Sequence, residues 1–159
     1  MTAAAHVYPN AVQELVTKAE SLNNVDTLKV GLAAPTSPAY TWNSTSQAHA
    51  TVANFLAGSG AGAMTEVSTS STGYARLGLT SVTATTTGLV TTLTAATMTW
   101  TATANWSATY AFFYDFSVGG DASGELICYW DFGGTVSVVS GGNFTLTVNA
   151  SGLVTFTAS

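Results

Sequence analysis

Residues 64–159 alternate apolar side chains with hydroxyl side chains, and this period of two constrains the fold more than any other feature of the sequence. Met98 and Trp100, for example, alternate with Thr99 and Thr101. Successive side chains of a β-strand point to opposite faces, so the pattern predicts strands that are buried on one side and solvated on the other. Such strands are typical of antiparallel sheets.

Two segments, residues 110–116 and 126–130, are apolar on both faces and are therefore predicted to be the central strands. Glycine-containing turn signals separate the predicted strands, which recur at a spacing of about 8–12 residues, as in sandwiches and barrels. The sequence therefore predicts a mainly β fold, an antiparallel β-sandwich or barrel, with one N-terminal α-helix.

The N-terminal part of the chain follows a different pattern. Residues 1–10 are interpreted as an arm, and residues 11–159 as a single β-rich domain that begins with a helix over residues 11–23. The apolar residues of this helix recur at helical spacing: Val12, Leu15, Val16, Ala19 and Leu22. A strand is predicted to follow over residues 26–33. In the arm, the candidate contacts to a partner protein or to a neighbouring subunit are His6, Val7, Tyr8 and Pro9.

Charged residues make up only 7% of the chain, against roughly 25% in a typical soluble domain. The three basic residues, Lys18, Lys29 and Arg76, cannot neutralise a row of phosphates or hold an anionic membrane surface. Nucleic acid and membranes are therefore not expected as partners. Hydroxyl groups replace the charges, since the chain contains 28 threonines and 16 serines.

No group of residues has the pattern of a catalytic site. The only histidines are His6 and His49, and serine is too common for any one to indicate a triad. Asp131 has no second carboxylate for glycoside hydrolysis, and Cys128 has no basic neighbour that would activate its thiol. We expect a protein that is not an enzyme and that uses no cofactor.

Three acidic residues, Asp115, Asp121 and Glu125, flank one predicted turn. Their carboxylates are suitable ligands for Ca²⁺, although their spacing matches no EF-hand loop. Aspartate and glycine also occur in turns because of local hydrogen bonds, and we take this as the default interpretation. The sequence leaves a calcium ion at this turn open and predicts no metal site.

The aromatic residues raise the alternative of glycan binding, because exposed rings provide apolar faces with polar rims. Most of them fall on the inward side of their predicted strands, where packing in the core is their expected use. Trp42 and Trp106 lie among Thr, Asn and Ser and are the candidates for exposed contacts.

Residues 77–114 contain no charged side chain. A surface covered with hydroxyls and nearly free of charge gives little protection against association. Stable homo-oligomeric interfaces are depleted in charge and enriched in aromatic residues. We therefore expect this region to lie in an assembly.

Several segments together resemble a family of small structural proteins of tailed bacteriophages. They are VQELVTKAESLNNVDTLKVGLA, EVSTSSTGYARLGLT, TWTATANWSATYAFFYD, GELICYWDFGG and GGNFTLTVNASGLVTFTA. The resemblance covers nearly the whole chain, and its last segment implies a closing hairpin. These motifs are strand and turn patterns that carry no catalytic residue.

This resemblance implies a virion structural protein, made in the cytoplasm of the bacterial host and located on the capsid surface. The expected role is that of a decoration (cement) protein, whose partners are the major capsid protein and further copies of itself, as a homotrimer. The alternative is a tail or neck fibre component that binds host surface glycans through Trp42 and Trp106.

Overall fold

The computed structural model describes residues 4–8, 28–35, 51–57, 64–117, 120–149 and 151–157. These residues form eleven strands and two short helices. The strands are β1 (Ala4–Val7), β2 (Leu28–Pro35), β3 (Met64–Glu66), β4 (Leu77–Gly78), β5 (Thr83–Thr87), β6 (Val90–Thr94), β7 (Met98–Thr101), β8 (Trp106–Asp115), β9 (Glu125–Val138), β10 (Asn143–Leu146) and β11 (Val154–Thr157). The helices are α1 (Val52–Ala57) and α2 (Gly120–Ser123).

The largest sheet has six strands in the order β1-β9-β8-β2-β3, and β4 pairs with β2 beside β3. All its pairings are antiparallel. The predicted central strands are confirmed, because β8 and β9 lie in the interior of this sheet. Most of their side chains are buried on both faces, which explains why these segments lack the alternation seen elsewhere.

The remaining strands form a two-stranded sheet, β10-β7, and a three-stranded sheet, β11-β6-β5. Within the described residues the sheets do not close, so the prediction of a barrel is wrong. The closing hairpin implied by the resemblance is also wrong, because β10 pairs with β7 whereas β11 pairs with β6. The predicted helix over residues 11–23 lies outside the described part of the chain.

Buried side chains cover both faces of the large sheet. On one face the core is continuous with the two smaller sheets, which contribute to the same cluster as strands β2, β8 and β9. Its members include Val30, Leu32, Phe113, Trp130, Leu93, Trp100, Phe144 and Val154. On the other face, aromatic rings of β8 and β9 pack against α1, β3 and Tyr8. Alternation along β8 thus supplies two cores.

Candidate functional site

Three of the four arm residues predicted as contacts, His6, Val7 and Tyr8, lie beside strand β9 of the protein's own sheet. β1 pairs with β9, and the ring of His6 stacks on Tyr129 with 4.7 Å between centroids. Tyr8 is buried, and its backbone N–H donates a hydrogen bond of 3.1 Å to β9. Val7 is half-buried, and Pro9 lies outside the described residues. An external contact of this segment stays a prediction.

The expectation that Trp106 is exposed is wrong, because only 8% of its surface is accessible. Its ring packs against Phe144 and Tyr74, with 5.6 and 6.4 Å between centroids. The residue lies on the same inward face of β8 as Ala108, and the polar neighbours in sequence turn the other way. Its Nε1 is buried, and no hydrogen-bond partner for it lies among the described residues. Trp42 lies outside the described residues.

Charged side chains and the hydroxyl groups of two tyrosines form a hydrogen-bonded group near Phe112 of the large sheet. We call this group the Arg76 cluster; its members are Lys29, Glu66, Tyr74, Arg76, Tyr114 and Asp121. Arg76 binds Glu66 in a bidentate pair, Nε to Oε1 at 2.7 Å and Nη2 to Oε2 at 2.6 Å. The Tyr74 hydroxyl donates to Glu66 at 2.8 Å and accepts the backbone N–H of Leu32 at 2.8 Å. Planar bidentate pairs of this kind are the strong form of an ion pair.

A second half of the cluster is centred on Asp121. Its carboxylate accepts the Tyr114 hydroxyl and lies 3.1 Å from Lys29 Nζ. Arg76 joins the two halves, because its Nη1 donates to the Tyr114 hydroxyl at 3.4 Å and to the Asp121 carbonyl. The Lys29 ammonium also lies 3.5 Å from the centroid of the Phe116 ring.

These contacts raise the pKa values of the two tyrosines and lower the pKa of the aspartate. Burial and then the neighbouring Glu66 charge raise the pKa of Tyr74, and burial and the hydrogen bond to Asp121 raise the pKa of Tyr114. Partial burial opposes ionisation of Asp121, but hydrogen bonds from Tyr114 and Lys29 outweigh it and lower its pKa. At neutral pH the cluster therefore holds protonated tyrosines between ion pairs.

A glycine allows this arrangement. Gly31 pairs with Phe112 across β2 and β8, and a Cβ at Gly31 would lie 2.2 Å from Cζ of the Phe112 ring. The tip of the ring therefore occupies the space that a side chain at position 31 would need. The Arg76 guanidinium lies 5.4 Å from the centroid of this ring. The cluster links β2, β3, the segment before β4, β8 and α2, which is a structural role. Sequence reasoning missed it, since nothing in the spacing of these residues brings them together.

The acidic residues considered as calcium ligands do not converge. Asp115 is buried and accepts hydrogen bonds from the Ser117 N–H at 2.8 Å and the Ser117 hydroxyl at 2.6 Å. Asp121 belongs to the Arg76 cluster, and Glu125 begins β9. Among the described residues, no three His, Cys, Asp or Glu side chains lie close enough to hold a metal ion. The turn interpretation is confirmed for Asp115.

Asp131 and Cys128, which the sequence analysis considered for catalysis, both have structural roles. Asp131 accepts the backbone N–H of Gly133 at 2.7 Å, and Gly133 has a positive φ of 72°. The carboxylate thus caps a local turn within β9. Cys128 is completely buried, and burial raises the pKa of its thiol, which keeps it protonated and unreactive.

The outer surface of the two smaller sheets consists of hydroxyl side chains. We call it the hydroxyl layer and define it by the outward threonines of β5, β6, β7 and β10. Cross-strand hydrogen bonds link Thr83 to Thr94 at 2.7 Å and Thr99 to Thr145 at 3.3 Å. All five residues of β5 are exposed. Cross-strand threonine pairs stabilise a sheet modestly, and here they form an uncharged surface.

A groove separates β9 from β10 and β11, with a volume of about 980 Å³. We call it the β9 groove. Its floor is apolar and includes Trp130, Phe132, Phe144 and Leu146, whereas Thr145 of the hydroxyl layer lies on its rim. None of its lining residues is charged.

Comparison of the chain with protein family models, curated proteins and solved structures gave no match. Helices long and apolar enough to cross a membrane are absent from the described residues.

Proposed function

We propose that this protein is a virion structural protein that decorates the outside of a tailed-bacteriophage head and stabilises it. It is made in the cytoplasm of the bacterial host and acts by binding, without catalysis. Its partners are the major capsid protein and further copies of itself, as a homotrimer. The resemblance of its strand and turn motifs to phage structural proteins supports this role.

The hydroxyl layer is the observation that carries the proposal. Residues 77–114, which include β5, β6 and β7, contain no charged side chain. Charge on a protein surface prevents association, and an uncharged surface of threonine methyl and hydroxyl groups does not. A threonine array can also bury its methyl groups while its hydroxyls find partners across an interface.

The packing of the sheets against one another favours a rigid base for this surface. We propose that the large sheet and the two smaller sheets form a β-sandwich, since they contribute to one core cluster. Leu93, Trp100 and Phe144 anchor the smaller sheets in this core. A surface held by a packed core loses little conformational entropy when it binds.

In the proposed mechanism, each copy contributes a modest contact to the capsid, and many copies act together. Multivalent attachment raises the strength of binding far above that of one contact. The shell is then harder to open, because several subunits must separate from their neighbours at once.

The glycan-binding alternative has less support. It depends on exposed tryptophans, and Trp106 is buried between Phe144 and Tyr74. A saturable glycan interaction lost on Trp42→Ala would favour it over capsid binding.

The test is to mix the purified protein with undecorated capsids of the same phage and to image them by electron microscopy. The proposal predicts regular added density on the outer surface, and capsids that resist heat or chelators better than undecorated ones. Bare capsids at saturating protein would contradict it. Sedimentation of the free protein measures its mass, for which a homotrimer is expected.

A further inference from the structure

The first strand, β1, is held in the large sheet by one neighbouring strand. Residues 4–7 pair with residues 128–131 of β9, and no other described strand pairs with β1. The first two residues of β1 are alanines, which bury little apolar surface, so the segment is anchored at its other end. There, Val7 packs against the core shared with the smaller sheets, and only 2% of the surface of Tyr8 is accessible. The segment is thus a peripheral strand with one deeply inserted side chain.

The site that receives this side chain is built by other elements of the fold. The centroids of the Tyr8 and Tyr129 rings lie 5.9 Å apart, and His6 stacks on the same Tyr129 ring. The Tyr8 N–H donates a hydrogen bond of 3.1 Å to the Ile127 carbonyl. Tyr8 also belongs to the buried cluster that contains rings of β8 and α1. Without the segment this apolar surface would be exposed to water, so every folded copy needs an occupant of the site.

The connection between β1 and β2 is longer than the sheet requires. β9 and β8 lie between the two strands, so three inter-strand distances of about 4.8 Å separate them by about 14 Å. β1 ends where Val7 pairs with Cys128, near the start of β9. β2 begins where Leu28 pairs with the last residue of β8, at the same end of the sheet. Residues 9–27 join them and can span at most about 60 Å, so β1 is long enough tethered to reach β9 of its own copy or of an adjacent one.

The described surface offers few apolar side chains that would hold copies together. Among the described residues, the exposed large apolar side chains are Leu89 and Val139, each 67% accessible. Leu89 lies in the turn between β5 and β6, and Val139 follows β9. Stable homo-oligomers usually bury a larger and more apolar area than two such side chains provide. An exchanged strand would supply buried contacts between copies without an exposed apolar surface.

Insertion of β1 into its own sheet and into a neighbouring sheet makes the same contacts with β9. The balance between the two depends on chain entropy, and the entropic cost of closing a loop grows only slowly with its length. Inside an oligomer, the neighbouring site is present at a high effective concentration. Exchange of identical elements is for this reason a low-cost route to oligomers.

We infer that copies of this protein exchange β1, so that residues 4–8 of one copy pair with β9 of the next and Tyr8 enters the aromatic core of that neighbour. Each copy donates and accepts one strand, and a closed ring leaves no site empty. The inference rests on the self-association in the proposed function and needs no capsid. It gives the predicted contacts His6, Val7 and Tyr8 a specific partner, strand β9 of a second copy.

A single substitution converts the exchange into a covalent bond. Val7 and Cys128 are direct partners across β1 and β9, and they pack in the same core. The Cβ atoms of direct partners lie about 5 Å apart, which a disulfide bridges after a small adjustment of the backbone. In oxidised Val7→Cys, exchange predicts disulfide-linked chains of two and three times the monomer mass in non-reducing electrophoresis. These species should return to single chains on reduction.

A matched variant and the unaltered protein provide the controls. Val7→Cys/Cys128→Ser keeps the new thiol and removes its partner, so it should give no covalent oligomer, and circular dichroism checks that both variants are folded. The second measurement needs no substitution. Isotope-labelled and unlabelled copies are unfolded together and refolded, and isotope-filtered NMR then detects contacts between a labelled and an unlabelled chain. We expect contacts between the Tyr8 and Tyr129 rings in this spectrum.

The outcomes separate this inference from the proposed function. Suppose that the protein sediments as an oligomer, but the disulfide of Val7→Cys forms only within single chains or no filtered contact joins Tyr8 to Tyr129. Either result would overturn strand exchange and leave self-association intact. A protein that sediments as a monomer would overturn both strand exchange and the expected homotrimer, whereas capsid decoration is judged by microscopy. Covalent oligomers of Val7→Cys, formed by a protein that leaves capsids bare, would support strand exchange and contradict the capsid role.

Discussion

The two faces of the large sheet carry contrasting surfaces. On the face with Phe112, both cations of the described chain, Lys29 and Arg76, are paired with carboxylates next to the buried Tyr114. The other face is covered by the smaller sheets, and their outward residues are mostly threonine. Within the described residues, charge thus stabilises one side internally and leaves the other side without electrostatic protection against contact. Changes on the two sides should therefore have different consequences.

The largest effect is expected from removing the cation of the bidentate pair. The side chains of Arg76 and Glu66 are only 15% and 20% exposed. Arg76→Met leaves the Glu66 carboxylate half-buried without its partner, and we expect the free energy of unfolding to fall by about 3 kcal/mol. Urea denaturation measures this loss. Arg76→Lys keeps the charge without the bidentate geometry and should lose less, and a loss equal to that of Arg76→Met would mean that charge contributes nothing.

A smaller loss of stability is expected when a methyl group is added at Gly31, next to the Phe112 ring. In Gly31→Ala the new methyl group overlaps the ring, which is completely buried, so overpacking should cost about 2 kcal/mol. Gly78→Ala is the matched control, because nothing lies within 4 Å of its Cβ position. Thermal unfolding of the two variants compares them, and equal melting temperatures would show that the ring can move aside.

On the other side of the large sheet, replacing Trp100 and replacing Trp106 should change the stability of the protein by different amounts. Trp100 Nε1 donates to the Ala75 carbonyl at 2.7 Å, whereas Trp106 Nε1 is buried without a partner. Replacement by phenylalanine removes a hydrogen bond in the first case and an unsatisfied donor in the second. We expect Trp100→Phe to destabilise the protein more than Trp106→Phe by about 1 kcal/mol, measured by urea denaturation. The reverse order would contradict the burial of an unpaired donor.

The smallest effect is expected on the stability of the protein at acidic pH. The pKa of Asp121 is lowered from its usual 3.8 in the folded protein, so the folded state releases this proton more readily than the unfolded chain. The resulting stability is present above pH 3.8 and is lost as the pH falls through the lower pKa of the folded state. Asp121→Asn should weaken the acid dependence of stability in this range. An unchanged pH profile of unfolding would show that the pairing with Lys29 and Tyr114 has no influence on stability.

The alternation in the sequence predicted most of the β structure. Residues 110–116 and 126–130 lack alternation because both faces of β8 and β9 are buried, and this placed them correctly as central strands. The alternation pattern could not show whether the sheets close into a barrel. Alternation reports which side of a strand is buried, but not which strand is its neighbour, as the separate partners of β10 and β11 show.

The candidate sites were harder to predict, because they depend on contacts distant in sequence. Arg76 and Asp121 are distant in sequence and come into contact only in the folded chain. A glycine is required at position 31 only because the Phe112 ring lies next to it. The neighbours of Trp106 in sequence are polar, yet its own position on β8 faces the core. The β9 groove lies between β9, β10 and β11, which no local pattern in the sequence brings together.

The central claim is that the hydroxyl layer contacts the capsid. The most direct measurement is electron microscopy of capsids mixed with Thr85→Lys/Thr99→Lys, which places two charges on exposed positions of the layer. The control is Ser123→Lys, an exposed position of α2 beside the Arg76 cluster. We predict that the double variant leaves capsids bare at concentrations where the wild type and Ser123→Lys decorate them fully. Full decoration by the double variant, or loss of decoration in Ser123→Lys alone, would contradict the claim.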